Sequence, residues 1–536
     1  MHYHVQIIPY LDGPAHLAFI LERQPYKHLR EFPEAAFEMC STNPETYKLL
    51  VGMYQDLMNA NKGVEYFHLS TDEAWFVGKA DNDQCHEAES AKRLGSASKV
   101  WVDYTKKTSA YLQSRGRKVI FWGEDPLQPR DIPLLPQGLI NGEVYSSTYN
   151  KAFQAHGIPQ MIYTNSQPDD SLFPATTILP VQEEVNPQVV EDRTAQVFNE
   201  ISFTSARKEA EIMGAGVYAW GDLGPHPETF WLGYAVGAAA AWHPGSANPR
   251  ELGESFYRLF YGQGATQMGR LYQLMSTQAQ FFATSWDSQP SSDLPFIFGY
   301  SYGIGPFVPH IETLPLPPIP MGGYLRLSGD WAAENSRRVA LAQKFLGQND
   351  ELLNLLYANI PAVQFNNYNL EVYLSIAQLC RQNLLMLTEL DEINHQLVTA
   401  EDEASKLHYS AAVDALDASI DIAVRIRDER NQALQVTTAT WYETWFPRVR
   451  EGNGRHIARD PQRFVDTGTS SDARRKQEGL LYLIDREFFL SFGDWVNQLQ
   501  AARNRYAADH KLPTRMGRFN WQDTKTLHSQ GVNREL

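Results

Sequence analysis

The stretch Tyr66-Phe67-His68-Leu69-Ser70-Thr71-Asp72-Glu73-Ala74-Trp75 governs the reading of the whole chain. An apolar run over residues 64–69 has the length and composition of a β-strand and ends in two adjacent carboxylates, flanked by His68 and Trp75. Neighbouring carboxylates repel as anions, so one of them tends to keep its proton to higher pH. A carboxyl protonated near neutrality can act as a general acid. In a barrel of parallel strands, the C-terminal strand ends form the active-site face. Taken alone, an Asp-Glu pair has a plainer reading as a solvated or helix-capping pair, so its neighbours in the sequence have to decide.

Short apolar runs recur on either side, at residues 5–9, 118–122, 138–145, 160–163 and 216–220. Helical stretches separate them: residues 48–58 after Asn43-Pro44, residues 91–113, and residues 204–213. Such β-α alternation predicts a parallel sheet, open or closed into a barrel. Residues 286–328 are rich in proline and aromatics and read as an extended connection that covers a surface. Beyond residue 329 the pattern turns helical, with amphipathic stretches at 372–390, 407–436 and 479–505 that suit a bundle. The polar stretch from Pro513 reads as a loosely held tail. The expected organisation is therefore a barrel-like domain over 1–285, a connection over 286–328 and a helical domain over 329–536.

Composition narrows the class. A chain of 536 residues with 43% hydrophobic residues can bury sizeable cores in two or three domains. No run of about 18 apolar residues suggests a membrane span. A net charge of −16 argues against a phosphate-backbone partner, which needs Lys and Arg to displace counterions. Aromatic residues make up 12% of the chain, and rings with polar handles suit the apolar faces and hydroxyl rim of a sugar. For most single rings a place in the core is the plainer role, and Trp231 and Trp242 are read that way. Cys40, Cys85 and Cys380 show neither zinc spacing nor a disulfide framework. The opening MHYHVQIIPYLDGPAH lacks the basic and apolar segments of a signal peptide.

The 66–75 segment resembles the signature His-x-Gly-Gly-Asp-Glu of glycoside hydrolase family 20, the β-N-acetylhexosaminidases, with Ser70-Thr71 in place of Gly-Gly. Upstream, Ile7-Ile8-Pro9-Tyr10-Leu11-Asp12-Gly13-Pro14-Ala15-His16 resembles the family's third-strand motif, Pro-Glu-x-Asp-x-Pro-Gly-His. There Tyr10 stands for Glu and Ala15 for Gly, while Asp12, Pro14 and His16 keep their spacing. Between the two motifs, Asn43-Pro44-Glu45-Thr46-Tyr47 matches a helix start of the family. Further strand ends follow in order at Trp122, Glu143-Val144-Tyr145, Tyr163 and Trp220-Gly221-Asp222.

The resemblance implies a (β/α)8 TIM-type barrel, incomplete at the N-terminus with about six strands, followed by an α-helical C-terminal domain. It implies removal of terminal β-linked N-acetylhexosamine, with the substrate's acetamido oxygen as nucleophile. Glu73 would be the acid and base, Asp72 would hold the acetamido group, and His16 would hydrogen-bond the acid. Tyr163 would donate to the acetamido oxygen, with Tyr145 as its competitor. Asp12 would belong to the substrate-binding residues, His68 would support the pair from beneath, Trp122 and Trp220 would bracket the sugar, and Asp222 would bind its hydroxyls. No metal or organic cofactor is expected, and the partner is an N-acetylhexosamine-containing glycan. Two other readings stand beside this one. The first is a carbohydrate-binding protein on a decayed barrel. The second is a different barrel glycosidase in which Glu124 or Asp222 partners Glu73.

Overall fold

The computed structural model describes residues 5–21, 23–165, 193–219, 226–245, 248–284, 316–441, 443–444, 449–452, 455–458 and 492–520. The chain enters through a short helix α1 (Ala18–Leu21) and an antiparallel hairpin of β1 (Arg30–Phe32) and β2 (Ala35–Met39). Helix α2 (Pro44–Ala60) follows, capped by the Asn43 side chain, which accepts from Glu45 N. The central sheet is parallel, with its strands side by side in sequence order: β3 (Tyr66–His68), β4 (Lys118–Phe121), β5 (Leu139–Asn141), β6 (Gln160–Asn165) and β7 (Ile212–Tyr218). This succession, with helices between the strands, is a half-barrel of parallel strands.

Five predicted strands form. The sixth, at residues 5–9, is reduced to a single parallel bridge between Tyr10 and His68. Pro9 has no N–H and offers only its carbonyl, to His68 N at 2.9 Å. The predicted helix over 91–113 is two helices, α3 (Glu87–Leu94) and α4 (Ala97–Ser114). Gly95, at φ 99°, ends the first in a left-handed cap, and the Ser96 side chain starts the second by accepting from Lys99 N. Helix α5 (Ser147–Ala155) precedes β6. The helix expected over 204–213 lies earlier, as α6 (Arg193–Arg207), and Ile212 and Met213 already belong to β7.

Beyond the sheet run α7 (Trp231–Trp242), α8 (Pro249–Tyr261), α9 (Met268–Thr284), α10 (Trp331–Asn359), α11 (Asn367–Ser405) and α12 (Tyr409–Trp441). A hairpin of β8 (Val449–Gly452) and β9 (Arg455–Ala458) and the helix α13 (Phe492–Asp509) complete the described elements. Most of the Pro/aromatic connection, and residues 479–491 of the last predicted helix, lie outside the described residues. Helix α11 buries Ile376, Cys380, Leu384, Leu387, Leu390, Ile393 and Leu397, the three- and four-residue steps of an amphipathic stripe. Trp231 and Trp242 are not core: they are 45% and 83% exposed at the two ends of α7. Nor is the chain loose just past Pro513. Asn504 bonds both backbone groups of Arg515, Asn497 does the same for Phe519, and the Phe519 ring is buried.

Two large apolar cores support these elements. One gathers Leu17, Phe37, Tyr54, Phe67, Trp101, Phe121 and Phe153 under β3, β4 and β5. The other runs from Ile162 on β6 through Leu232 and Tyr272 to Tyr373, Ile426 and Val496. It is continuous across the position where the sequence divides barrel from bundle. The join is also polar: Asn369 Nδ2 on α11 donates to Glu228 O at 2.6 Å. Between the cores the sheet is thin, since β5 and β6 pair only at Asn141 and Gln160.

A third, small cluster corrects the cysteine reading. Cys40, at the end of β2, is disulfide-bonded to Cys85 in the loop before α3, and both are buried with Ala80. Three buried glutamates surround this loop. Glu38 accepts from Phe76 N and Val77 N, and Glu87 accepts from Ser41 N and Gly78 N. Glu31 is 1% exposed, and burial, together with the charges of Glu38 and Glu87, pushes its carboxyl up to about 11. Burial also raises Glu38 and Glu87.

Two predictions follow from this cluster. A carboxyl with a raised folded-state pKa stabilises fully below its unfolded value and loses that contribution as pH rises through the folded one. The melting midpoint should therefore fall from pH 5 to pH 9. Glu31→Gln should match the parent at pH 5 and exceed it at pH 9; parallel profiles would refute the assignment. Replacing Cys40 and Cys85 together by Ser reopens a loop with a sequence separation of 45 and should cost about 3–4 kcal/mol in urea unfolding.

Candidate active site

The strand β3 ends at His68, and the next residues turn sharply. Ser70 (φ 61°), Thr71 (φ 83°) and Glu73 (φ 48°) all occupy the left-handed region, as does His16 (φ 57°) in the facing segment. L-residues avoid this region, and β-branched threonine most of all. The turn holds because its surroundings over-determine it. Trp122 N donates to Ser70 O at 2.7 Å, Trp101 Nε1 to Thr71 O at 3.1 Å, and Thr71 Oγ1 to Trp122 O at 2.9 Å. Glu73 N donates to Glu124 Oε1 at 2.8 Å, which ties the turn to the end of β4.

This turn carries the two carboxylates to His16. Its Nε2 lies 3.0 Å from Glu73 Oε2 and 3.7 Å from Asp72 Oδ2. The side chains of His16 and Asp72 are 11% and 17% exposed and that of Glu73 is 28% exposed, so Glu73 is the most accessible of the three. Asp12 and Asp72 both reach the Ser70 hydroxyl, Asp12 Oδ1 at 2.9 Å. His68 lies beneath the turn, buried, with its Nδ1 accepting from Ser70 N at 3.1 Å. Burial pulls its pKa down to about 3, so it is a neutral support.

Two further carboxyls line the same region. Burial raises Glu124 to about 7, with added repulsion from Asp72 and Glu73. Glu143 is raised to about 8 by burial and by the charges of Glu124 and Asp72. Among the described residues, two carboxyls with raised pKa thus stand beside the Asp72–Glu73 pair. Sequence reading gave Glu143 no role and Glu124 only a rival one, because their protons depend on burial.

The aromatic wall is built from three strands. The Trp122 ring, 3% exposed, is tilted on His68 at 4.9 Å and on Tyr218 at 5.1 Å, and meets Tyr163 edge-on at 5.7 Å. Tyr163 and Tyr218 stack at 4.9 Å and 17°. Tyr218 was missed in the sequence, although it sits two residues before Trp220 on the strand that signalled the wall. Tyr145 stands apart, 49% exposed and edge-on to Tyr149. Trp220 and Asp222 lie outside the described residues. Among the described residues, metal-ligand atoms cluster at Cys40, Cys85 and Glu87. Those sulfurs are joined to each other, and Glu87 is occupied by backbone N–H groups, so the cluster is structural.

Thr71→Val keeps the shape of the turn and removes the hydroxyl that bonds the Trp122 backbone in both directions. It should lower stability by about 1–3 kcal/mol in denaturant unfolding, the cost of a buried acceptor losing its partner.

Known proteins similar to this chain include hexosaminidases. Human hexosaminidase D is 21% identical over 164 residues, covering 30% of this chain and 28% of the relative. The bovine (Bos taurus) hexosaminidase D is 24% identical over 80 residues, covering 15% of this chain and 23% of the relative. The chain thus spans about a quarter of the length of these curated relatives. Among solved structures, a β-N-acetylhexosaminidase from Bacteroides fragilis aligns over 47% of this chain and 51% of its own, at 16% identity and a TM-score of 0.34. A chitobiase from Flavobacterium johnsoniae aligns over 77% and 62%, at 16% identity and a TM-score of 0.35. Residues 1–230 match the family model of the glycosyl hydrolase family 20 catalytic domain.

Proposed function

We propose that this site hydrolyses terminal β-linked N-acetylhexosamine from a glycan by substrate-assisted, retaining catalysis. The observation that carries the reading is the placement of His16 Nε2 3.0 Å from Glu73 Oε2, with Asp72 alongside at the end of a parallel strand. In the first step the acetamido oxygen attacks the anomeric carbon and the glycosidic C–O bond breaks. Glu73 passes its proton to the leaving oxygen. Asp72 accepts the acetamido N–H and offsets the positive charge of the oxazolinium intermediate. In the second step water attacks the anomeric carbon, its proton returns to Glu73, and the acetamido group is restored. Because the nucleophile is already attached to the substrate, much of the entropic cost of bringing it to the reacting carbon is avoided.

Other residues take supporting roles in this reading. His16 holds the Glu73 carboxyl and answers its change of charge. Tyr163 is the candidate donor to the acetamido oxygen, and its stack on Tyr218 fixes its ring. Trp122 and the tyrosines form the apolar wall for the sugar face. Trp220 and Asp222 are proposed, from the sequence motif, as the opposite wall and a hydroxyl acceptor.

The test is release of 4-nitrophenol from its N-acetyl-β-D-glucosaminide. Glu73→Gln should lower kcat by at least about a thousandfold, and Asp72→Asn by about a hundredfold or more, without loss of folding. The plain β-glucoside, which lacks the acetamido nucleophile, should not turn over. Equal turnover of both substrates would point instead to two protein carboxylates acting directly, as in other barrel glycosidases. Sugar binding without turnover by the folded wild type would make the site a binding site.

A further inference from the structure

We propose that the Ser70 hydroxyl positions Asp72, as the centre of a buried network with Tyr10 and Asp12. This deepens the reading above, since it rests on Asp72 being the carboxylate that receives the acetamido N–H.

Ser70 is 1% exposed. Tyr10 Oη donates to its Oγ at 3.0 Å, Asp12 Oδ1 lies 2.9 Å from that oxygen, and Asp72 Oδ1 is in direct hydrogen-bond contact with it. A hydroxyl has one proton to give. Tyr10 uses the lone-pair side, and burial keeps its phenol protonated, so the Ser70 proton is turned toward Asp12 and Asp72. The two oxygens of Asp72 therefore meet different groups: Oδ1 the hydroxyl, and Oδ2 His16 at 3.7 Å. An aspartate turns freely about two side-chain torsions unless one oxygen is held. A carboxylate already fixed in place stabilises developing charge with no reorganisation during the reaction.

The backbone supports the same conclusion. At φ 61° glycine would occupy position 70 without strain, yet a serine stands there. A glycine would close the turn equally well and remove the one hydroxyl proton that Asp72 Oδ1 and Asp12 Oδ1 share. Tyr10 and Ser70, far apart in the sequence, also stand at two of the four positions where the chain departs from the family motifs, and these two are hydrogen-bonded to each other.

The experiment compares wild type, Ser70→Gly and Tyr10→Phe in the full chain. It measures kcat and KM on 4-nitrophenyl N-acetyl-β-D-glucosaminide, the Kd for N-acetylglucosamine-thiazoline as a stable mimic of the oxazolinium, and the melting midpoint. A purely structural serine would lose stability and activity together when replaced. A positioning serine separates them. Ser70→Gly should keep or raise the midpoint, lower kcat about tenfold or more, leave KM within about threefold, and weaken thiazoline binding in parallel with kcat. Tyr10→Phe should show the same pattern, more weakly.

A Ser70→Gly chain with wild-type kcat and thiazoline affinity would overturn the positioning role and leave the proposed function intact. A folded wild type that neither turns over the substrate nor binds the thiazoline would overturn both. Should Ser70→Gly fail to fold, Tyr10→Phe decides: reduced kcat at an unchanged midpoint supports the role, and unchanged kcat refutes it.

Discussion

Between His68 and Glu73 the chain must end a buried parallel strand and present two carboxylates to an imidazole held by another segment. It does so by setting three residues with side chains in the left-handed region. Each such residue costs about 1–2 kcal/mol against an ordinary conformation. The turn persists because two tryptophans and the end of β4 bond it from three sides. Much of the neighbourhood follows from that constraint. Trp101 is buried with its indole N–H on the turn, Trp122 is fixed at the strand end, and His68 is held neutral underneath. The turn is thus a locked platform, and the groups attached to it inherit its rigidity.

Charge is arranged around the same platform. His16 faces Glu73 and Asp72 directly, and its charge also lowers the pKa of both Glu38 below and Glu124 beside the turn. One imidazole thus answers carboxyls on several sides. Burial counters the rest by keeping protons on Glu31, Glu124 and Glu143. In the lower group, Glu38 and Glu87 bind the loop that follows the carboxylate pair, through backbone N–H groups at positions 76, 77 and 78. Together with the disulfide, this makes the loop part of the foundation.

The sequence carried the features that depend on local pattern. Four of the five parallel strands appeared as short apolar runs close to their observed places, because their residues are buried in the sheet. The pairing of Glu73 with His16 was legible only through the resemblance to the family's motifs. Features set by three-dimensional proximity were not. Cys40 and Cys85 are far apart in the chain and share no spacing signature. The three buried glutamates look like surface charge when read in one dimension. Tyr218 and the Ser70 network depend on which residues meet across strands. Trp231 and Trp242 misled in the other direction: a helix rich in alanine with a tryptophan at each end suggests burial all round, yet the face actually buried is made of Leu232, Val236 and Ala240.

The thin join between β5 and β6 has a consequence for the aromatic wall. Trp122 follows Phe121 of the first core, whereas Tyr163 and Tyr218 follow Ile162 and Val217 of the second, and the three rings meet one another outside both cores. Their ring contacts bridge a boundary that the backbone crosses with a single residue pair. The wall is therefore also a keystone: its shape records how the two halves of the molecule are set against each other. A shift of one half that left every strand intact would first be felt as a change in the spacing of these three rings.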